Sequence, residues 1–313
     1  KDVDDSNILL RLKKLKNLNI YSPPSYEQLN EEFYINYYKN RSYSCEIIGS
    51  RGCVANCTFC FKFIGTGYNC RTYKSVIEEI NYFKNKYDIN RFYFREENFF
   101  QNKDLFLGLM KEREKSEFYI RCGSRLDVIT DKLLPYLCKE MILSIGFGIE
   151  SINPDTLVKI KKRIKIDSYV GKIEALNKKG IEPKASFIIG FPDDKEEDYE
   201  KMYEFIIKNR LKGSINLLTV LPATQLYYQL CETMNLGDEW DYTKQIDQAT
   251  LYGDLTINLT NLPNEIIIAH YKRLKGALST AIESSITDEF SPFIKGYNDT
   301  PRVLTCNNIQ NSF

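Results

Sequence analysis

One histidine in 313 residues is the sharpest scarcity of this sequence. It excludes any site that needs two or more imidazoles from this chain. No run approaches 18 consecutive apolar residues, so no membrane-spanning helix is expected. The first residues, KDVDDSN, are charged and polar, so no signal peptide is read there and a cytoplasmic location is expected. Neither sign of charge dominates: Lys and Arg number 43, Asp and Glu 42, for a net +1. That balance argues against a general polyanion binder, and nucleic acid is not an expected partner. Internal repeats and low-complexity stretches are also missing. The remainder is ordinary for a globular chain, with 43% hydrophobic and 27% charged residues. A chain this long buries about three quarters of its unfolded surface and needs no covalent staples.

The nine cysteines are odd in number, so they cannot all pair. Cys45, Cys70, Cys122, Cys138, Cys231 and Cys306 are scattered singly. Cys53, Cys57 and Cys60 are packed into CVANCTFC, residues 53–60. A disulfide would strand one of the three, and a reducing cytosol disfavours disulfides. Zinc would require a fourth ligand from elsewhere, another Cys or the lone His270. A cluster of iron and sulfide held by three cysteines, with one iron left open, fits the spacing best. Such an iron is free to bind a substrate or second cofactor, and the amino and carboxylate groups of an amino acid can chelate it. Thr58 and Phe59 suit a turn that gathers the thiols, and Phe59 can shield a cluster or pack on a cofactor.

Six strand-like runs alternate with helical ones. The strands are expected at 45–50, 91–95, 118–122, 142–148, 184–190 and 214–220. Helical patterns fall at VIEEINYFKNKY after a Ser75–Glu78 capping box, and at 102–115, 130–140, 153–161, 167–179 and 194–210. Alternation of this kind implies an α/β fold with a parallel sheet, here a partial (β/α)6 TIM-like barrel. The expected organisation is a linker-like segment 1–44, the barrel 45–235, and a mainly helical extension with a polar tail, 236–313. A start without Met and the linker-like composition lead to the expectation of an upstream segment. The active site of such a barrel lies at the carboxyl ends of its strands, where the cysteine loop, GIES and GFPDD all fall.

CxxxCxxC after a first strand, within a six-fold βα pattern, resembles the radical S-adenosylmethionine (SAM) superfamily over about residues 45–235. The resemblance implies that Cys53, Cys57 and Cys60 hold three irons of a 4Fe-4S cluster and that SAM chelates the fourth. One-electron reduction then cleaves SAM to methionine and a 5′-deoxyadenosyl radical. It places Phe59, Glu96, Glu97, Ser124, Arg125, Glu150, Ile189 and Gly190 as SAM contacts. Glu96 and Glu97 would approach its ammonium, and Ser124 and Arg125 its carboxylate. Glu150 would meet the ribose or methionine part, and the backbone at Ile189 and Gly190 the adenine. An electron donor such as flavodoxin or ferredoxin and a small-molecule substrate follow as partners. Within the superfamily the chain is most similar to the group often fused to an amino-terminal cobalamin domain, through CTFC, SVIEEI, GIES, KIKKRIK and LPATQLY. It departs from that group at Pro222-Ala223-Thr224, where Pro-Gly-Thr is usual. It also has no Asp-x-His cobalamin signature, so cobalamin would enter only through an upstream domain.

The leading expectation is hydrogen abstraction from a small polar metabolite or natural-product intermediate, ending in dehydration, epimerisation, oxidation or rearrangement. The alternatives are a cobalamin-dependent radical methyltransferase, a tRNA-modifying radical enzyme, and a non-catalytic zinc-binding barrel. GFGIES and GTGYNC begin like dinucleotide fingerprints but lack the third glycine. KIKKRIK reads as a solvated helix end. His270 reads as structural, Cys122 as an inert buried thiol, and a salt bridge is the structural alternative for Arg125.

Overall fold

The computed structural model describes residues 18–20, 45–62, 67–234 and 258–279. Six parallel strands form one open sheet: β1 (Cys45–Ile47), β4 (Arg91–Phe94), β5 (Tyr119–Gly123), β6 (Ile142–Glu150), β7 (Glu182–Ile189) and β8 (Lys212–Leu217). They lie in chain order across the sheet, which is an α/β partial barrel. Two short strands, β2 (Ser50–Arg51) and β3 (Asn69–Cys70), pair antiparallel beside the cysteine loop. CEIIGS is therefore two strands, with β1 ending at Ile47.

The crossovers are α1 (Tyr73–Tyr87), α2 (Lys103–Arg113), α3 (Pro154–Lys159), α4 (Ile166–Lys178) and α5 (Glu196–Lys208). Helix α1 buries Val76, Ile80, Phe83 and Tyr87, one stripe at helical spacing. Each such side chain contributes about 1.5–3 kcal/mol through burial. Its cap is Thr72, whose hydroxyl accepts from Ser75 N at 3.3 Å. The expected Ser75–Glu78 box is thus not the cap. Ser75 Oγ instead accepts from Arg71. Asn102 caps α2 by accepting from Leu105 N, and Asn153 caps α3 ahead of Pro154.

The helix expected over 130–140 is a series of tight turns around one 3-10 turn at Leu134–Tyr136. Pro135 has no N–H to donate, and the bonds Tyr136 N to Leu133 O and Leu137 N to Leu134 O span three residues. Leu133 and Leu137 still reach the core.

The main core lies between the sheet and its crossover helices, with Phe92, Phe94, Ile120, Ile145 and Phe187 among its fully buried strand residues. A second, smaller core joins Leu157, Ile160, Phe191, Leu218 and Leu226 at the carboxyl end of the sheet, with Phe59 packed against it. Helix α6 (Gln225–Met234) starts there, and Thr224 caps it by accepting from Tyr227 N at 3.1 Å. The cysteine loop is tied to this second core through its backbone. Thr58 N donates to Ile160 O at 3.0 Å, and Leu226 N donates to Thr58 O at 2.9 Å. Helix α7 (Asn264–Ser279) packs on β8 and α5. It carries His270, which is buried against the Tyr199 ring and 3.3 Å from Glu196 Oε1. Among the described residues no helix is long and apolar enough to cross a membrane.

Candidate active site

A cavity of about 620 Å³ opens at the carboxyl ends of the strands, lined by Cys53, Cys57, Cys60, Phe59, Glu97, Ser124, Arg125 and Glu150 among others. The sheet contributes Gly123, Gly146, Gly148, Ser186 and Ser214 to its wall. Eight of the eleven residues expected at the site therefore share one space. The other three, Glu96, Ile189 and Gly190, do not line it.

Backbone donors held by carboxylates shape the cysteine loop. Glu97 Oε2 accepts from Gly52 N at 3.0 Å. Gly52 sits at φ +93°, and a Cβ there would lie 2.0 Å from Gly67 O, so only glycine fits. Glu96 lies beneath the loop, where its Oε1 accepts from Gly49 N at 2.5 Å and Ser50 N at 3.1 Å. Burial pushes its carboxyl up to about 8, against the pull of those donors. Glu96 thus supports the loop from behind.

Cys53 and Cys57 are half-buried, and Cys60 is exposed at the mouth. Desolvation by the surrounding loop raises the Cys60 thiol first, and the nearby Cys57 and Cys53 add to it. The three thiols are therefore electrostatic neighbours. Yet no three described His, Cys, Asp or Glu side chains converge on a single ion position. Three cysteines supply one thiolate to each of three irons of a cuboidal cluster, whereas a structural zinc site takes four ligands. The donor set fits a 4Fe-4S cluster held by three cysteines.

Asn98, which the sequence did not single out, joins the loop to β5. It is buried, and its Oδ1 accepts from Ser124 Oγ at 2.7 Å and Arg125 N at 3.1 Å. Its Nδ2 lies 4.0 Å from Cys53 Sγ. Ser124 Oγ also accepts from Phe100 N, so its hydroxyl is committed to the protein.

Arg125 does form the salt bridge weighed as its structural alternative. Its Nε and Nη2 fork onto Asp127, each with a contact of 3.0 Å, and Nη2 also donates to Lys162 O at 2.7 Å. Its Nη1 points at Cys57 Sγ, 3.5 Å away. Burial raises the Asp127 carboxyl, but the Arg125 and Tyr169 bonds outweigh it and hold the group below its usual range. Burial and then the Asp127 charge push the Tyr169 hydroxyl well up, so it keeps its proton and donates to Asp127 Oδ1 at 2.8 Å.

Glu150 ends β6 at φ +68° and accepts from Lys162 Nζ at 2.9 Å. Both side chains are buried, with 10% and 6% of their area exposed. Lys162 comes from KIKKRIK, where a solvated helix end was expected. Helix α3 instead stops at Lys159, and positive φ at Lys161 and Arg163 turns Lys162 inward. Gly148 makes the room: a Cβ there would sit 1.8 Å from Glu150 Oε1 and 2.9 Å from Lys162 Nζ.

Ile189 is fully buried, and its carbonyl accepts from Leu218 N. Gly190 N donates to Asp194 Oδ2 at 2.9 Å. Burial raises the Asp194 carboxyl to about 6 despite the Gly190, Phe191 and Tyr199 donors. The Ile189 carbonyl is thus tied to the residue after β8, and the Gly190 N–H to the turn after β7. Cys122 is buried and outside the cavity lining, as an inert thiol would be.

Among curated proteins, the chain is 27% identical over 244 residues to an uncharacterized methyltransferase of Pyrococcus horikoshii, covering 76% of this chain and 53% of that protein. It is 25% identical to the bacteriochlorophyllide d C-12(1)-methyltransferase of Chlorobaculum tepidum, covering 85% of this chain and 60% of that one. The chain therefore spans little more than half the length of these relatives. Its fold is similar to that of the radical S-adenosylmethionine methyltransferase TsrM from Kitasatospora setae, solved with cobalamin and a 4Fe-4S cluster. The TM-score is 0.58 at 16% identity, covering 64% of this chain and 41% of that one. The family model of the radical SAM superfamily matches residues 47–206, from β1 into α5. The chain belongs to that superfamily, whose enzymes use a 4Fe-4S cluster and S-adenosylmethionine.

Proposed function

We propose that this chain is the SAM-cleaving part of a cobalamin-dependent radical methyltransferase acting on a small molecule. The observation that carries the reading is the set of relatives, whose names are those of methyltransferases. They favour methyl transfer over the hydrogen abstraction that the sequence led us to expect first. When bound, the cluster would supply the electron that splits SAM, and cobalamin, held outside the described residues, would carry the methyl group.

Cys53, Cys57 and Cys60 would hold three irons. Glu97 fixes the loop that presents them by binding Gly52 N. Phe59, stacked edge-on against Phe191 at 6.2 Å, would keep water off the cluster on the second-core side. Glu150 and Lys162 offer a carboxylate and an ammonium to one cavity, the complement of the amino and carboxylate groups of methionine. Small residues on β6 and hydroxyls on β7 and β8 leave the far wall open to a polar substrate. Cys60, exposed at the mouth, would bring the cluster within reach of an electron donor such as flavodoxin or ferredoxin.

A test that needs no substrate is anaerobic incubation of the full-length protein, its cobalamin-binding part included, with iron, sulfide, reductant, cobalamin and methyl-deuterated SAM. Deuterated methylcobalamin and S-adenosylhomocysteine are the expected products. Formation of 5′-deoxyadenosine with neither of these would overturn methyl transfer and restore hydrogen abstraction.

A further inference from the structure

Arg125 has few donors left for a cofactor. Its Nε and Nη2 are both committed to Asp127, and Nη2 is shared with Lys162 O. Asp127 is braced in turn by Tyr169, itself fully buried on α4. The guanidinium is thus splinted in one orientation, with Nη1 aimed at Cys57 Sγ at 3.5 Å. A planar fork gripped on one side has little freedom to swing towards a ligand elsewhere in the cavity. A sulfur that receives a charge-assisted hydrogen bond carries extra negative charge more easily. In an iron–sulfur site that favours the reduced state and raises the reduction potential.

We propose that Arg125, splinted by Asp127 and Tyr169, is a positioning and tuning residue for the iron–sulfur cluster, acting through Cys57 Sγ rather than as the anchor of the SAM carboxylate. This rests on the reading of Cys57 as a cluster ligand. Through Lys162 O the same guanidinium also holds the turn that presents Lys162 to Glu150.

The test is a potentiometric titration, followed by electron paramagnetic resonance, of the anaerobically reconstituted protein in the absence of SAM. Arg125→Met should take up iron and sulfide as the unmodified protein does. At any fixed potential its ratio of reduced to oxidised cluster should fall about tenfold, a downward shift of ~59 mV for one electron. Tyr169→Phe, which loosens the splint without changing charge, should shift the potential the same way by less. If Arg125→Met fails to load, Arg125→Lys decides. It keeps the charge but cannot fork onto Asp127 and reach Cys57 together, so a smaller downward shift is expected. Equal potentials in the variant and the unmodified protein would overturn the inference and leave the cysteine assignment standing. Failure of the unmodified protein to take up any cluster would instead remove the cysteine assignment, and this inference with it.

Discussion

Replacing Lys162 with Met would leave the Glu150 carboxylate in a wall where only 10% of its side chain meets solvent. The pair is held at 2.9 Å, and no other described hydrogen bond reaches the Glu150 carboxylate. Removing one partner of a buried ion pair costs about 3–5 kcal/mol, because the other charge stays behind desolvated. Replacing both with uncharged groups of similar size is close to neutral. Lys162→Met alone should therefore lose about 3–5 kcal/mol, and Lys162→Met with Glu150→Gln should regain most of it. At a urea slope of about 3 kcal/mol per molar, the single variant's midpoint falls by about 1–2 M. Urea unfolding followed by circular dichroism on the unmodified protein, both single variants and the double variant gives the coupling energy. Gly148→Ala adds an independent arm, since its Cβ would overlap Glu150 Oε1 and force the pair apart with both charges present. A Lys162→Met loss below about 1 kcal/mol, or a double variant no more stable than the single, would refute the buried pair.

Glu96 gives a pH prediction. Its folded carboxyl titrates at about 8, above the unfolded value of about 4.3, so the folded state holds an extra proton between those limits. Stability should fall as pH rises from about 4.3 to 8, and Glu96→Gln should remove that fall in urea titrations across the window. Ala223 sits at φ +63°, a conformation glycine adopts without strain, so Ala223→Gly should raise stability by about 0.5–1 kcal/mol in the same assay. Gly52→Ala should do the reverse, by about 2 kcal/mol or more, and should also lower iron uptake, because the loop cannot pass Gly67.

The order of strands and most helices was legible because each crossover helix carries an apolar stripe and each strand a β-branched or aromatic run. Val76, Ile80 and Phe83 on α1 and Phe187 and Ile189 on β7 show the two periods plainly. Pro135 hid the one helix that failed, since the apolar spacing of Leu133 and Leu137 survives in tight turns. The cysteine loop was legible from spacing alone, as three thiols in eight residues admit few chemistries. Lys162 was not legible, because a lysine in a basic run reads as solvated until the turn at Lys161 and the gap at Gly148 are known. Asn98 and Asp127 were missed for a related reason. Asn98 bonds Ser124 after β5, and Asp127, besides its neighbour Arg125, bonds Tyr169 on α4, pairings that only the fold creates. Glu96 and Glu97 are adjacent in sequence, and only the fold separates the one beneath the loop from the one facing the cavity.

Iron and acid-labile sulfide content after anaerobic reconstitution, compared between Cys57→Ala and Cys122→Ala, tests the cluster site most directly. Cys57 lines the cavity with Cys53 and Cys60, whereas Cys122 is buried away from it. Cys57→Ala should lose the cluster and reductive SAM cleavage together, while Cys122→Ala keeps both. A Cys57→Ala protein that retains a full complement of iron and sulfide, or still cleaves SAM, would contradict the assignment.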